Sequence, residues 1–224
     1  MEFLSKRRDL RNEAIASEWR MVLTKKEIKA CIKKCADRIN REFDGKDVVL
    51  TCILKGAAYF FVDLSRELII SHSTYFIEAS SYLNSQTQNE EVQILSQIVP
   101  SKFKDRHVIL VDELFDSGHT LSCIKTAISE KAAVPKEMIT TCTLFKKIRP
   151  EIKTNPDIFG IALPNVWYVG YGLDHNQEKR GWTYLFACPK CEGVEKNTDD
   201  EIFTNSQRYN EMRVGLINQL YIIA

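Results

Sequence analysis

One stretch limits what this chain can fold into more than any other: His107-Val-Ile-Leu-Val-Asp112-Glu113-Leu-Phe-Asp116-Ser117-Gly118-His119-Thr120. Its continuous apolar run suits a strand covered on both faces, the situation of a parallel sheet. The run ends on two adjacent carboxylates, and a Gly-containing turn then opens a helix expected over Thr120–Glu130. Two acids at the end of a buried strand are costly unless hydroxyls, cations or a metal meet them. The turn Asp116–Thr120 offers successive backbone N–H groups at a helix N-terminus. Gly118 permits close approach there, and the Ser117 and Thr120 hydroxyls add donors, which makes a phosphate cradle. An acid pair for hydroxyls or Mg²⁺, a few residues from a phosphate cradle, fits a sugar phosphate.

The rest of the chain agrees with a parallel sheet. Thr24-Lys-Lys-Glu27 has the form of a capping box, followed by Ile28, Cys31, Ile32, Cys35, Ala36, Ile39 and Phe43 at helical spacing. Strands are expected at Val48–Leu54, Thr74–Ala79, Val92–Leu95, His107–Val111, Met138–Leu144, Ile158–Ala162 and Trp167–Tyr171, with a helix marked by Ala57, Phe60, Phe61, Leu64 and Leu68. Residues 80–91 have the hydroxyl-, amide- and acid-rich composition of a loop. The order βαβ…βαβ predicts a mostly parallel, twisted α/β sheet with helices on both faces. Ligands of such sheets sit at the carboxyl ends of the strands, where the strand order switches.

Rival readings of the central stretch are weaker. Its apolar run and acids look like a Walker B strand, but no G-x-x-x-x-G-K-[ST] exists in the 224 residues. Gly170-Tyr-Gly172 lacks the third glycine of a dinucleotide fingerprint. Asp116 as a simple helix cap would leave Asp112 and Glu113 without a purpose. A net charge of +1 argues against a chain that coats nucleic acid. No apolar stretch approaches the roughly 18 residues of a membrane span, and the charged first residues carry no secretory signal. A soluble, cytoplasmic protein is expected, with several of its cysteines, those inside apolar periodic runs, as reduced, buried thiols.

The central stretch resembles the phosphoribosyl-diphosphate motif of type I phosphoribosyltransferases at every fixed position: apolar strand, two acids, two apolar residues, Asp, Ser or Thr, Gly, any residue, Thr. Other segments, in matching order over roughly residues 20–185, narrow the resemblance to the purine-salvage branch, the hypoxanthine-guanine enzymes. These are Ile53-Leu-Lys55-Gly56, Ser81-Tyr82, Leu144-Phe-Lys146-Lys147, and Trp167-Tyr168-Val-Gly-Tyr171-Gly-Leu-Asp174 with Arg180 downstream. The resemblance implies transfer of a 5-phosphoribosyl group from its 1-diphosphate to hypoxanthine and guanine, with Mg²⁺. It implies that Asp116 shares the proton at purine N7. The diphosphate sugar would be held by Lys55, Gly56, Ser81, Tyr82, Asp112, Glu113, Asp116, Ser117, Gly118, His119, Thr120 and Arg180. The purine would be held by Lys146, Trp167, Tyr168 and Asp174, and Mg²⁺ by Asp112, Glu113 and Asp174. Lys146 is preferred over Lys147 by its spacing to Pro156-Asp157. Residues 80–91 would form a lid, and a homodimer or homotetramer is implied.

The chain departs from the family in three places. The acids run Asp112-Glu113 where the purine enzymes usually have Glu-Asp, His119 fills the variable cradle position, and Tyr168 stands where a small aliphatic residue is usual. Residues 1–187 are therefore read as the transferase domain, with a small hood, and 188–224 as an extension of unassigned role. Cys188-Pro-Lys-Cys191 supplies two of the four ligands that structural zinc requires, so ordinary thiols are the default. Two alternatives remain open: a xanthine-preferring or pyrimidine-type transferase, and a non-catalytic regulator that keeps the cup but binds RNA, DNA or a nucleotide.

Overall fold

The computed structural model describes residues 19–83, 90–188 and 199–221. The chain forms two compact units, residues 30–162 and residues 1–29 with 163–224.

The first unit is built on a six-stranded sheet of order β4-β3-β2-β5-β6-β7. Its strands are β2 (Val48–Leu54), β3 (His72–Leu83), β4 (Glu90–Ile94), β5 (His107–Phe115), β6 (Ile139–Lys147) and β7 (Ile158–Leu163). β2 is parallel to both β3 and β5, β5 is parallel to β6, and β4 runs antiparallel to β3. Every residue of Val48–Ile53 is buried, as the unbroken apolar run predicts for a strand covered on both faces. Helices α1 (Lys25–Glu42), α2 (Ala58–Glu67) and α3 (His119–Ala132) supply that cover. Leu121, Ile124 and Ile128 of α3 join Val49, Ile53, Val108 and Leu110 in one apolar cluster. The mostly parallel α/β sheet read from the sequence is the fold of this unit.

β3 and β4 both extend into the segment expected to be a loop. Leu83 pairs with Glu90 and Tyr82 with Glu91 across an antiparallel ladder. A hairpin ladder is satisfied by backbone groups, so polar side chains do not prevent it. β5 likewise runs past the acid pair, with Asp112 opposite Thr143 and Leu114 opposite Phe145.

The second unit carries a three-stranded sheet of order β1-β9-β8, with β1 (Arg20–Leu23), β8 (Tyr168–Val169) and β9 (Leu185–Ala187), each pairing antiparallel. β1 and β9 were not expected from the sequence. Strands of three or four residues are too short to show a period. Two helices follow, α4 (Asp200–Thr204) and α5 (Ser206–Tyr221), the latter starting six residues before the helix read near Met212–Ile223. The Thr24 box forms as predicted: the Thr24 N–H donates to Glu27 Oε2 at 2.6 Å and the Glu27 N–H to Thr24 Oγ1 at 3.3 Å. Helix α5 is tied to this corner. Arg213 donates to Glu27 Oε1 at 2.8 Å and to the Val22 carbonyl, and Tyr209 Oη donates to the Met21 carbonyl at 2.6 Å.

Burial raises the Glu27 carboxyl pKa, but bonds from Arg213 and Thr24 outweigh it, so the group is held below its ordinary value. Arg213→Met would leave a carboxylate only 8% exposed without its cation, and is expected to cost about 2–3 kcal/mol in urea unfolding at neutral pH. Because the folded pKa is depressed, this contribution is complete above the unfolded glutamate value of about 4.3 and is lost as pH falls through the lower folded value. The difference between parent and variant should therefore shrink on acidification. A difference independent of pH would refute the pairing.

Among the described residues, Cys31, Cys35, Cys52, Cys123 and Cys142 are thiols. Cys188 is instead disulfide-bonded, which corrects the expectation of a thiol there. Cys191 lies outside the described residues.

Candidate active site

The sheet order reverses between β2 and β5: from β2 the chain proceeds to β3 on one side, and from β5 to β6 on the other. This switch point is where open α/β sheets hold ligands. The C-terminal ends meeting there carry Lys55-Gly56 and Asp112-Glu113. They approach so closely that a Cβ on Gly56 would fall 1.8 Å from Glu113 Oε1. The Leu54–Lys55 peptide is cis. Lys55 Nζ lies 3.9 Å from Glu78 in an exposed pair, which is worth little in water.

At the end of β5, the Glu113 N–H donates to Asp112 Oδ1 at 3.0 Å. Desolvation raises the Asp112 carboxyl pKa, and the hydrogen bonds from Glu113 offset only part of that rise. Burial, with Asp112 and Glu113 nearby, pushes the Cys52 thiol on β2 up to about 12. Negative charge therefore accumulates here in a poorly solvated place, the condition in which a carboxylate pair favours a hard cation or hydroxyl donors.

The cradle follows at once. Gly118 is left-handed (φ 80°) and stands at the N-cap of α3 without a side-chain cap. Asp116 is thus not the cap of this helix. The first N–H groups of a helix have no partner within it. One of them, on His119, turns to Ser117 Oγ at 3.3 Å. The imidazole of His119 lies 3.7 Å from Cys123 Sγ, one turn along α3.

Asp116 points elsewhere. Its Oδ2 accepts from Lys147 Nζ at 2.9 Å and its Oδ1 from Arg149 Nη1 at 2.7 Å. Partial burial raises its carboxyl pKa, but the two cations outweigh that and hold it below the ordinary aspartate value. Neighbouring residues of a strand face opposite ways, and the two lysines at the end of β6 divide accordingly. Lys147 takes Asp116, whereas Lys146 Nζ donates to Asn155 Oδ1 and lies 5.4 Å over the ring of Phe159. Sequence reasoning missed Lys147 and Arg149 as partners of Asp116. The available signal was the Lys-Lys pair itself, since a strand must send one of two neighbours to each face.

Trp167, Tyr168, Asp174 and Arg180 belong to the second unit. Trp167 is 36% exposed. The phenol of Tyr168 is buried and donates to the Pro164 carbonyl at 2.7 Å. Burial, with Asp199 nearby, keeps its pKa far above the ordinary tyrosine value. Asp174 and Arg180 pair with each other at 2.6 Å, and Arg180 also donates to the Gly172 carbonyl at 2.8 Å. Ser81 and Tyr82 lie on β3, but their side chains and residues 84–89 of the expected lid are outside the described residues.

Among the described residues no three His, Cys, Asp or Glu side chains cluster as a metal site. The Asp112–Glu113 pair nevertheless fits Mg²⁺, which takes one or two carboxylates and fills its remaining positions with water and substrate oxygens. The model of the phosphoribosyl transferase domain family matches residues 18–176.

The chain belongs to the phosphoribosyltransferase family.

Other relatives give the same family. Hypoxanthine phosphoribosyltransferase of Escherichia coli (strain K12) is 31% identical over 167 residues, which is 74% of this chain and 92% of that one. A crystal structure of a hypoxanthine phosphoribosyltransferase from Staphylococcus aureus superposes with a TM-score of 0.67 at 26% identity, over 75% of this phosphoribosyltransferase and 90% of that chain. A hypoxanthine-guanine phosphoribosyltransferase from Bacillus anthracis gives 0.66 at 28% identity, over 75% and 96%.

Proposed function

We propose that this phosphoribosyltransferase serves purine salvage, converting hypoxanthine and guanine with 5-phosphoribosyl 1-diphosphate to the nucleoside monophosphates and diphosphate. The observation that carries the reading is the adjacency, at the sheet's switch point, of the Asp112–Glu113 pair and the Asp116–Thr120 cradle. Breaking the bond from ribose C1 to diphosphate builds positive charge on the ring, an oxocarbenium-like state. The α3 N-terminus, with Ser117, Gly118, His119 and Thr120, grips the 5-phosphate and so fixes the ribose away from its reacting carbon. Asp112 and Glu113 accept from the ribose hydroxyls. Lys55, the Gly56 backbone and Arg180 receive diphosphate, and Ser81-Tyr82 close over it. Asp116, held ionised by its cations, takes or shares the proton at N7 of the base. Lys147, on the face of β6 that meets Asp116, is better placed than Lys146 to meet the 6-oxo group. Trp167 stacks on the ring, and Asp174 completes the purine side, with the buried Tyr168 supporting it from behind.

Asp112 and Glu113, with Asp174, would hold Mg²⁺, whose charge screens the leaving diphosphate. Catalysis is assigned to residues 1–187. Within 188–224, helix α5 braces β1 and the start of α1 through the Tyr209 and Arg213 bonds to Met21, Val22 and Glu27. The reading also includes cytoplasmic residence and a homodimer or homotetramer.

Labelled hypoxanthine, guanine and xanthine, each with phosphoribosyl diphosphate and Mg²⁺, test the reaction. Nucleotide is expected from the first two, and addition of EDTA should stop its formation. No nucleotide from any of the three would reject the reading, and nucleotide from xanthine alone would replace the proposed bases.

A further inference from the structure

Both oxygens of the Asp116 carboxylate are engaged by cations, and the two cations differ in kind. Lys147 stands on β6, with its side chain 7% exposed and its ammonium 2.9 Å from Oδ2. A side chain anchored on a central strand and enclosed by packing has little freedom to leave. Arg149 lies beyond the end of β6, 30% exposed, and reaches Oδ1 at 2.7 Å. Its Nε is at the same time 2.7 Å from Glu151 Oε1. Arg149 therefore has a second carboxylate already in hand. A carboxylate seated between two cations is a weak proton acceptor, so one of them must give way before Asp116 can take a proton from a purine ring.

We propose that Arg149 is the displaceable partner of Asp116: a positioning residue that holds the carboxylate in the unliganded enzyme, yields Oδ1 to the ring N–H of an incoming purine, and withdraws to Glu151. Lys147 stays throughout and keeps the carboxylate charged and aimed. The inference rests on the transferase reading above and adds the residue that sets the entry cost of the purine. No bond to Arg149 is made or broken beyond these ion pairs, and the purine's ring nitrogen replaces the guanidinium as donor.

The test compares the unsubstituted enzyme with Arg149→Met, Arg149→Lys and Glu151→Gln. Arg149→Met removes the competitor, so the KM for hypoxanthine should fall, by roughly fivefold, because the open form no longer has to be selected. Glu151→Gln deletes the place of retreat and should raise that KM. Arg149→Lys should return it toward the parent value. The KM for phosphoribosyl diphosphate should stay near the parent value in all three. A role confined to folding would move Arg149→Met and Glu151→Gln in the same direction.

A second readout does not depend on turnover. The charged groups facing Asp116 are Lys147 from β6 and Arg149 and Glu151 from the segment after it. The Asp116 carboxyl, followed by ¹³C NMR, should titrate at higher pH in Arg149→Met than in the parent. A hypoxanthine KM that does not fall, or a midpoint that does not rise, overturns the proposal. Absence of nucleotide from the unsubstituted enzyme would reject the transferase reading instead, and the midpoint would still decide whether Arg149 holds Asp116.

Discussion

Replacing Asp116 with Asn is expected to cut turnover at least about a hundredfold, with only a modest loss of phosphoribosyl diphosphate binding. The amide is nearly isosteric with the carboxylate but carries no charge and accepts no proton. Its nitrogen would also face one of the two cations that now bond Oδ1 and Oδ2. The group that helps the purine is therefore lost, while the cradle N–H groups of α3 remain. The substitution also strands the ammonium of Lys147, which is buried, so some loss of stability accompanies it. Circular dichroism at the assay temperature separates the two effects. A folded variant with a hundredfold lower kcat and nearly the parent KM for the diphosphate sugar is the expected result. Turnover within a fewfold of the parent would remove Asp116 from the chemistry.

The parts of this molecule that were legible in the sequence are those governed by period and by local backbone chemistry. Val48–Leu54 was read to the residue because a run buried on both faces stands out against the charged Lys46-Asp47 before it and Lys55-Gly56 after it. The Thr24 box and the helix after it were read because both signals lie within one turn. The acid pair and the cradle were legible together because only three residues separate Glu113 from Ser117, and the turn needs a left-handed residue that Gly118 supplies. The partners of Asp116 were not legible, since Lys147 and Arg149 lie 31 and 33 residues away in the chain. Their meeting depends on β5 and β6 pairing in parallel, with Phe115 opposite Lys146. Spacing to Pro156-Asp157 favoured Lys146 for the purine, but spacing carries no information about which face of β6 each lysine uses. The outer end of the ladder between β3 and β4, within residues 80–91, was read as a loop for a related reason: composition reports side chains, and that ladder is made by the backbone.

Gly170→Ala is expected to destabilise the protein by about 3 kcal/mol or more. Two independent costs fall on the same atom. The backbone of Gly170 has φ 101°, a conformation that side chains rarely adopt. The added Cβ would also lie 2.2 Å from the Tyr184 carbonyl oxygen and 3.3 Å from Trp182 Cβ. Neither neighbour can yield cheaply. The first is backbone immediately before β9, and Trp182 is packed edge-on against Phe186 at 5.4 Å between ring centroids. The turn that Gly170 opens is further closed by N–H bonds from Gly170 to the Leu173 carbonyl at 2.9 Å and from Tyr171 to the Trp182 carbonyl at 2.8 Å. Relief of the clash would have to break those bonds or push β9 away from β8. Urea unfolding followed by tryptophan fluorescence measures the outcome, and a loss under about 1 kcal/mol would show that the turn relaxes more easily than its packing implies. Asp174 and Arg180 leave the same turn, so, on the role proposed above for Arg180, the variant should also raise the KM for phosphoribosyl diphosphate wherever it remains folded. The stability and activity losses then share one origin in the position of a backbone carbonyl.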